Sequence, residues 1–102
     1  MKKRNLKEES INAKHNTFWN REKVLNSKQC GCFVCEVLFS PELIKDWTDE
    51  YSLSNNLKFS TALCPYCSED TIIPESDEYT LDKKLLEYVH NNIEKIIKEL
   101  DK

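Results

Sequence analysis

Cys32-Phe33-Val34-Cys35 and Cys64-Pro65-Tyr66-Cys67 are the two stretches that decide how this chain of 102 residues folds. In each stretch two cysteines are separated by two residues, and a tight turn at that spacing points both thiolates toward one point. Two such pairs in one short domain are typical of a tetrahedral zinc site, with each sulfur about 2.3 Å from the metal. We therefore predict one Zn²⁺ ion that joins the two halves of the chain, held by Cys32, Cys35, Cys64 and Cys67.

Other uses of these thiols remain open from spacing alone. Iron also binds four cysteines, and unliganded cysteines pack as small apolar residues. A thiol-disulfide oxidoreductase needs an accessible thiolate of low pKa, usually at the start of a helix, whereas residues 68–73 predict turn and strand. Zinc explains both pairs at once. Four thiolates leave no position for a catalytic water, so we predict a structural metal and a chain that is not an enzyme.

The fifth cysteine and the two histidines are less informative. Cys30 could replace Cys32 as a ligand, but the two-residue gap favours Cys32, and we interpret Cys30 as packing beneath the turn. A reactive thiol near the metal is the alternative for Cys30. His90 is interpreted as a boundary residue of a helix, and for His15 a contact with the metal turn or with a partner stays open.

Composition indicates one domain with a modest core, since 39% of the residues are hydrophobic and 32% are charged. Zinc binding, worth roughly 10–16 kcal/mol, would supplement such a core. The number of cysteines is odd, no secretory signal is visible, and no run approaches the roughly 20 apolar residues that span a bilayer. These features predict a cytoplasmic protein that is not bound to a membrane.

Charge is unevenly distributed along the chain. Residues 1–28 carry eight lysines and arginines against three acids, and residues 29–102 carry seven against fifteen. We predict a basic flexible arm or frayed helix over residues 1–14 and a single zinc-binding domain over residues 15–102. The arm could contact phosphates, but the acidic remainder would repel a polyanion, so a protein partner is favoured over nucleic acid.

Apolar periodicity predicts an α+β domain. We expect a short helix over about 18–26, with Phe18, Val24 and Leu25 on one face, and a strand-like run over 29–39 that contains the first cysteine pair. Ser40-Pro41 predicts a helix start, followed by an apolar helical face of Leu43, Ile44, Trp47 and Tyr51. Strands over 57–63 and 71–73 are predicted to form a β-hairpin around the second cysteine pair.

The last segment predicts a long closing helix that Thr80 caps, with Asp82 in its first turn. Its apolar residues form one continuous stripe: Leu81, Leu85, Val89, Ile93, Ile96, Ile97 and Leu100. Such a stripe leaves a homodimer through this helix possible.

Three segments together resemble a known family: Cys30–Cys35, Phe39-Ser40-Pro41 with Trp47, and Thr61–Cys67. They are similar to small bacterial proteins described only as "cytoplasmic protein", which carry Cys-Gly-Cys-Phe-x-Cys and Ala-Leu-Cys-Pro-x-Cys motifs. The resemblance covers roughly residues 15–90 and includes polar residues upstream, His15, Asn20 and Arg21. It implies a zinc-ribbon-like fold with the four cysteines as ligands, and no established activity. Where the family usually has Gly-Ile-Asp after the second turn, this chain has Ser68-Glu69-Asp70.

From these observations we expect a non-catalytic zinc-binding interaction or adaptor protein of bacterial cytoplasm. The alternatives are a nucleic-acid-associated zinc ribbon and, less favoured, a thiol-disulfide oxidoreductase.

Overall fold

The computed structural model describes residues 4–48 and 60–100, which form a small α+β domain with a long carboxyl-terminal helix, as predicted. Its α-helices are α1 (Leu6–His15), α2 (Arg21–Leu25) and α3 (Lys83–Leu100). Its strands are β1 (Cys30–Cys32), β2 (Val37–Phe39), β3 (Trp47–Thr48), β4 (Thr61–Ala62) and β5 (Ile72–Ile73). None of the helices in these two ranges is long and apolar enough to cross a membrane.

The strands form two antiparallel sheets, one in the order β2-β1-β5 and one of β3 with β4. The hairpin predicted around the second cysteine pair is therefore wrong, although β4 and β5 lie within the two predicted strand ranges; residues 57–59 of the first range lie outside the described residues. Thr61 pairs with Thr48, whereas Ile72 pairs with Cys32 across the sheet. Residues 63–71 form a compact turn of their own, which directs β5 away from β4 and onto β1. This turn thus brings the second cysteine pair close to the end of β1, where the first pair begins.

The predicted helix after Ser40 begins but does not continue. The Ser40 side chain accepts a hydrogen bond from the backbone N–H of Glu42, and a 3-10 turn over Pro41–Leu43 follows. The backbone is extended again at Ile44, and Trp47 pairs with Ala62 instead of extending a helical face. Pairing with β4 supplies the hydrogen bonds that a helix would otherwise have made. Tyr51, the last member of the predicted face, lies outside the described residues.

Of the two alternatives predicted for the start of the chain, a flexible arm or a frayed helix, residues 4–14 agree better with the helix, because most of them belong to α1, which packs against α3. Asn5 caps this helix by accepting a hydrogen bond from the N–H of Glu8. Ser10 and Ala13 are fully buried, and these small residues let the two helices approach closely. The fully buried positions of this face are small, and its larger apolar residues, Leu6 and Ile11, are only partly buried, so its apolar periodicity is weak and the sequence did not predict a stable helix here. Residues 1–3 lie outside the described residues.

The closing helix begins later than predicted, since Asp82 caps it in place of Thr80. Its carboxylate accepts a hydrogen bond from the N–H of Leu85 at 2.9 Å. Leu86, absent from the predicted stripe, is fully buried and sits over Gly31, where an added Cβ would lie 3.0 Å from it. The stripe members Leu81, Leu85, Val89 and Ile96 are buried and Ile93 is partly buried.

A break inside α3 explains the two stripe members that are not in the core. Asn92 has non-helical angles (φ −124°, ψ 18°), and its side chain donates to the carbonyl of Tyr88 at 2.9 Å. The break interrupts the helical period, and Ile97 and Leu100 beyond it are exposed.

Candidate metal centre

The first cysteine pair lies on the turn that joins β1 to β2. β1 ends at Cys32, a turn over residues 33–36 follows, and β2 begins at Val37. The backbone N–H of Cys35 points back at the Cys32 sulfur and donates to it at 3.4 Å. Glu36, directly after the pair, has a left-handed φ of 56°. The turn therefore holds both sulfurs on one side of the hairpin.

The second pair forms a similar turn between β4 and β5. The N–H of Tyr66 donates to the Cys64 sulfur at 3.4 Å. Backbone hydrogen bonds of 2.9 Å close the turn, from Ser68 N–H to the Cys64 carbonyl and from Cys64 N–H to the Glu69 carbonyl. Ser68 has a φ of 64°, so it repeats the left-handed conformation of Glu36 at the equivalent place. Both turns thus direct a backbone N–H at their first sulfur and end in a left-handed residue.

The fold brings the four predicted ligands together: the sulfurs of Cys32, Cys35, Cys64 and Cys67 all lie within 4.8 Å of one another. The Cys32 and Cys67 sulfurs are 3.8 Å apart, and the Cys35 and Cys64 sulfurs are 4.0 Å apart. A tetrahedral metal with sulfur ligands at about 2.3 Å requires an edge of about 3.8 Å between them. Disulfide sulfurs would lie about 2.0 Å apart, and all five cysteines are free thiols. The donor set therefore fits one tetrahedral metal ion, and the four cysteines could hold it.

The four sulfurs differ in burial and in hydrogen bonding. Cys32 and Cys64 are buried, while Cys35 and Cys67 are partly exposed. Burial raises the pKa of the Cys32 and Cys35 thiols. Burial also opposes ionisation of Cys67, but hydrogen bonds from the backbone N–H of Glu69 and from the neighbouring thiols outweigh it and lower the Cys67 pKa. Without a cation the group accommodates little negative charge, so binding a metal must displace protons.

A hydroxyl group supports the most buried sulfur. Thr71, itself buried, places its Oγ1 3.0 Å from the Cys32 sulfur. Hydrogen bonds to a thiolate stabilise its charge and fix its direction, as outer partners of metal ligands commonly do. Sequence reasoning missed this role, because Thr71 reaches Cys32 only through the pairing of β1 with β5.

Cys30 stands apart from the cluster. It is fully buried on β1, and its sulfur lies 3.6 Å from the carbonyl oxygen of Phe39, close enough for a weak S–H hydrogen bond. Burial raises the pKa of this thiol to about 12. Cys30 and Cys32 are two residues apart on β1, so strand alternation directs both side chains to one face, and Cys30 is separated from the cluster along the strand and not across the sheet. The geometry agrees with the interpretation of Cys30 as a packing residue.

The histidines do not join the metal group. His15 is exposed at the end of α1. The Nδ1 atom of His90 lies 3.0 Å from the carbonyl oxygen of Phe33, inside the first cysteine turn. His90, interpreted from the sequence as a boundary residue of the helix, is exposed, and this contact ties α3 to the first cysteine turn.

Comparison of the chain with protein-family models, with curated proteins and with solved structures found no match. The resemblance of the cysteine motifs to a bacterial family therefore stays a prediction, and the functional argument rests on the geometry of the cysteine group.

Proposed function

We propose that this chain is a non-catalytic interaction module in which one Zn²⁺ ion is structural. The observation that carries the proposal is the meeting of four sulfurs from two distant turns within 4.8 Å. A cation there would fasten the β1–β2 turn to the β4–β5 turn. For a chain of this size, that contribution is comparable to the whole stability of a domain.

Zinc is proposed over iron because Zn²⁺ favours closed, four-coordinate thiolate sites in small structural domains. Iron accepts the same donors, so the identity of the metal is a matter for elemental measurement. A structural role is proposed because all four tetrahedral positions would be filled by sulfur. The cluster found in residues 4–48 and 60–100 contains no histidine or carboxylate that could exchange with water.

Bacterial cytoplasm is the proposed compartment. Thiols that are held reduced for metal binding suit a reducing environment. Of the two rivals, nucleic-acid binding loses support, because Arg4 and α1 are packed on α3 and do not form a free basic arm. A thiol oxidoreductase requires metal-free protein that reduces a disulfide substrate through Cys64.

Elemental analysis of freshly purified protein tests the proposal directly. We expect one zinc per chain, and a sharp fall in melting temperature after chelation. Cys64→Ser should lose the metal and the cooperative melt, whereas the matched variant Cys30→Ala should keep one zinc, because its sulfur lies outside the cluster. Stoichiometric iron, absence of metal, or an unchanged melt after verified removal would each contradict the proposal.

A further inference from the structure

Two aromatic side chains between α1 and α2 lie on the surface. The rings of Phe18 and Trp19 are stacked, with centroids 4.4 Å apart and an angle of 24° between their planes. They are 60% and 47% exposed. Phe18 was expected to share a helical face with Val24 and Leu25, but α2 begins only at Arg21, and Val24 is the one of the three that is buried. Exposed aromatic pairs of this kind are typical of contact surfaces.

The backbone conformation that keeps this aromatic pair on the surface is strained at Trp19. Trp19 has a φ of 49°, a left-handed conformation that costs a bulky residue about 1–2 kcal/mol. The backbone N–H of Trp19 donates a hydrogen bond to Oγ1 of Thr61 at 3.0 Å, and the next residue, Asn20, is buried. Surrounding structure therefore fixes the conformation, and strain of this kind concentrates where a side chain must be presented.

A groove of about 440 Å³ runs beside the Trp19 ring, lined also by Glu22, Lys23, Asn26, Ser27 and Glu75. One oxygen of the Glu75 carboxylate accepts hydrogen bonds from the N–H groups of Lys28 and Gln29, which fixes its position. Glu22 is exposed.

The charge of this groove favours a cation. Its lysine, Lys23, donates to the side-chain oxygen of Asn16 at 2.8 Å. The ion pairs within residues 4–48 and 60–100 both involve Arg4, so neither groove carboxylate forms an ion pair there, and the two carboxylates outnumber the one lysine of the groove. An aromatic face beside two carboxylates is a favourable setting for a guanidinium or ammonium group.

We propose that Phe18, Trp19, Glu22 and Glu75 form the docking surface for an arginine or lysine side chain of a partner protein. The cation lies against the Trp19 ring and between the carboxylates, and an apolar neighbour of that cation packs on Phe18. The fold already uses such a contact internally, with the Arg21 guanidinium 4.7 Å from the centre of the Trp47 ring. Nucleic acid is disfavoured because the carboxylates would repel its phosphates. This assignment rests on the proposed function, since it names the surface through which the module contacts its partner.

Titration of zinc-loaded protein with acetyl-Leu-Arg-Leu-amide tests this surface, with the indole N–H signals of Trp19 and Trp47 followed by NMR. We expect a saturable shift at Trp19, and a much smaller one with acetyl-Leu-Glu-Leu-amide. The double variant Glu22→Gln with Glu75→Gln, which keeps the shape of both side chains, should weaken binding at least roughly fivefold. Phe18→Ala should weaken it as well. The matched controls Glu42→Gln and Leu43→Ala, exposed on the 3-10 turn, should leave binding unchanged.

Four results would overturn the docking surface: no saturable shift, equal shifts with both peptides, binding that survives the double variant, or tighter binding of single-stranded oligothymidine. Metal content is measured on the same samples. A protein that holds zinc but ignores the arginine peptide removes only the docking surface, whereas a protein without metal removes the proposed function and leaves the peptide result to stand alone.

Discussion

The side-chain oxygen of Asn20 accepts a hydrogen bond from the backbone N–H of Ala62 at 3.0 Å. The same amide group donates to the carbonyl of Ile72 at 2.9 Å, and Asn20 is 1% exposed. Ala62 lies on β4 and Ile72 on β5, which belong to different sheets. One buried amide thus connects the strand that leads into the second cysteine pair to the sheet that carries the first.

Replacing Asn20 by leucine should destabilise the zinc-loaded protein by about 3 kcal/mol, because a buried N–H and a buried carbonyl lose their partner. Denaturant unfolding measures the change in the free energy of unfolding. Asn91→Leu, at an exposed position of α3, serves as the control and should change it by less than about 0.5 kcal/mol. Equal stability of the two variants would show that Asn20 does not connect the sheets energetically.

Thr71→Val should weaken metal binding about tenfold while leaving the fold intact, because valine keeps the shape of threonine and removes the hydroxyl 3.0 Å from the Cys32 sulfur. Competition with a chromophoric chelator measures the affinity. Thr80→Val, at an exposed position outside the cysteine cluster, is the control. An affinity indistinguishable from that of the unaltered protein would mean that the hydroxyl does not support the thiolate.

The residues after each cysteine pair offer a gain in stability. Glu36 and Ser68 are left-handed, which glycine adopts without steric cost. We expect Ser68→Gly and Glu36→Gly each to stabilise the protein by about 0.5–1 kcal/mol, after allowing for the greater entropy of glycine in the unfolded chain. Asp70→Gly is the control: its φ is not positive, so glycine should destabilise there. Thermal melts of the metal-loaded variants measure the change in stability, and a Ser68→Gly variant less stable than the unaltered protein would contradict this prediction.

Arg4 links the starts of two helices, with ion pairs of 2.7 Å to Glu9 and 2.9 Å to Asp82. The hydrogen bond from Arg4 holds the Glu9 pKa below its usual 4.5. For Asp82, burial is the largest effect and raises the pKa, but the hydrogen bonds from Arg4 and from the backbone N–H of Leu85, together with the nearby positive charges, outweigh it and lower the pKa below 3.8. Because both folded-state values are depressed, their stabilisation is complete above about pH 5 and is lost as pH falls through them. We expect Arg4→Met to cost about 1 kcal/mol at pH 7.

The pH dependence is read from the difference in melting temperature between Arg4→Met and the unaltered protein, since metal release at low pH affects both. That difference should shrink between pH 5 and pH 3. Lys95→Met, at an exposed position in the second half of α3, is a matched control for loss of positive charge. A difference that stays constant down to pH 3 would be incompatible with the two ion pairs.

Some of the fold was predictable because its causes are local. The strands around Cys32, the cap at Ser40 and the long stripe of α3 each follow from neighbours in sequence. The predictions that were wrong depended on distant partners. Trp47 joined β4 in place of a helix, and β5 paired with β1 in place of β4, because strand pairing satisfies backbone groups that no local pattern identifies.

The sequence by itself determined which four sulfurs come together, since a two-residue gap between cysteines dictates a turn that directs both thiols the same way. Only the tertiary structure decided how the two turns meet, through Asn20 between the sheets and Thr71 beside Cys32. The physical reason is range: turn geometry is set within a few bonds, whereas a buried hydrogen bond depends on which donors and acceptors packing brings together.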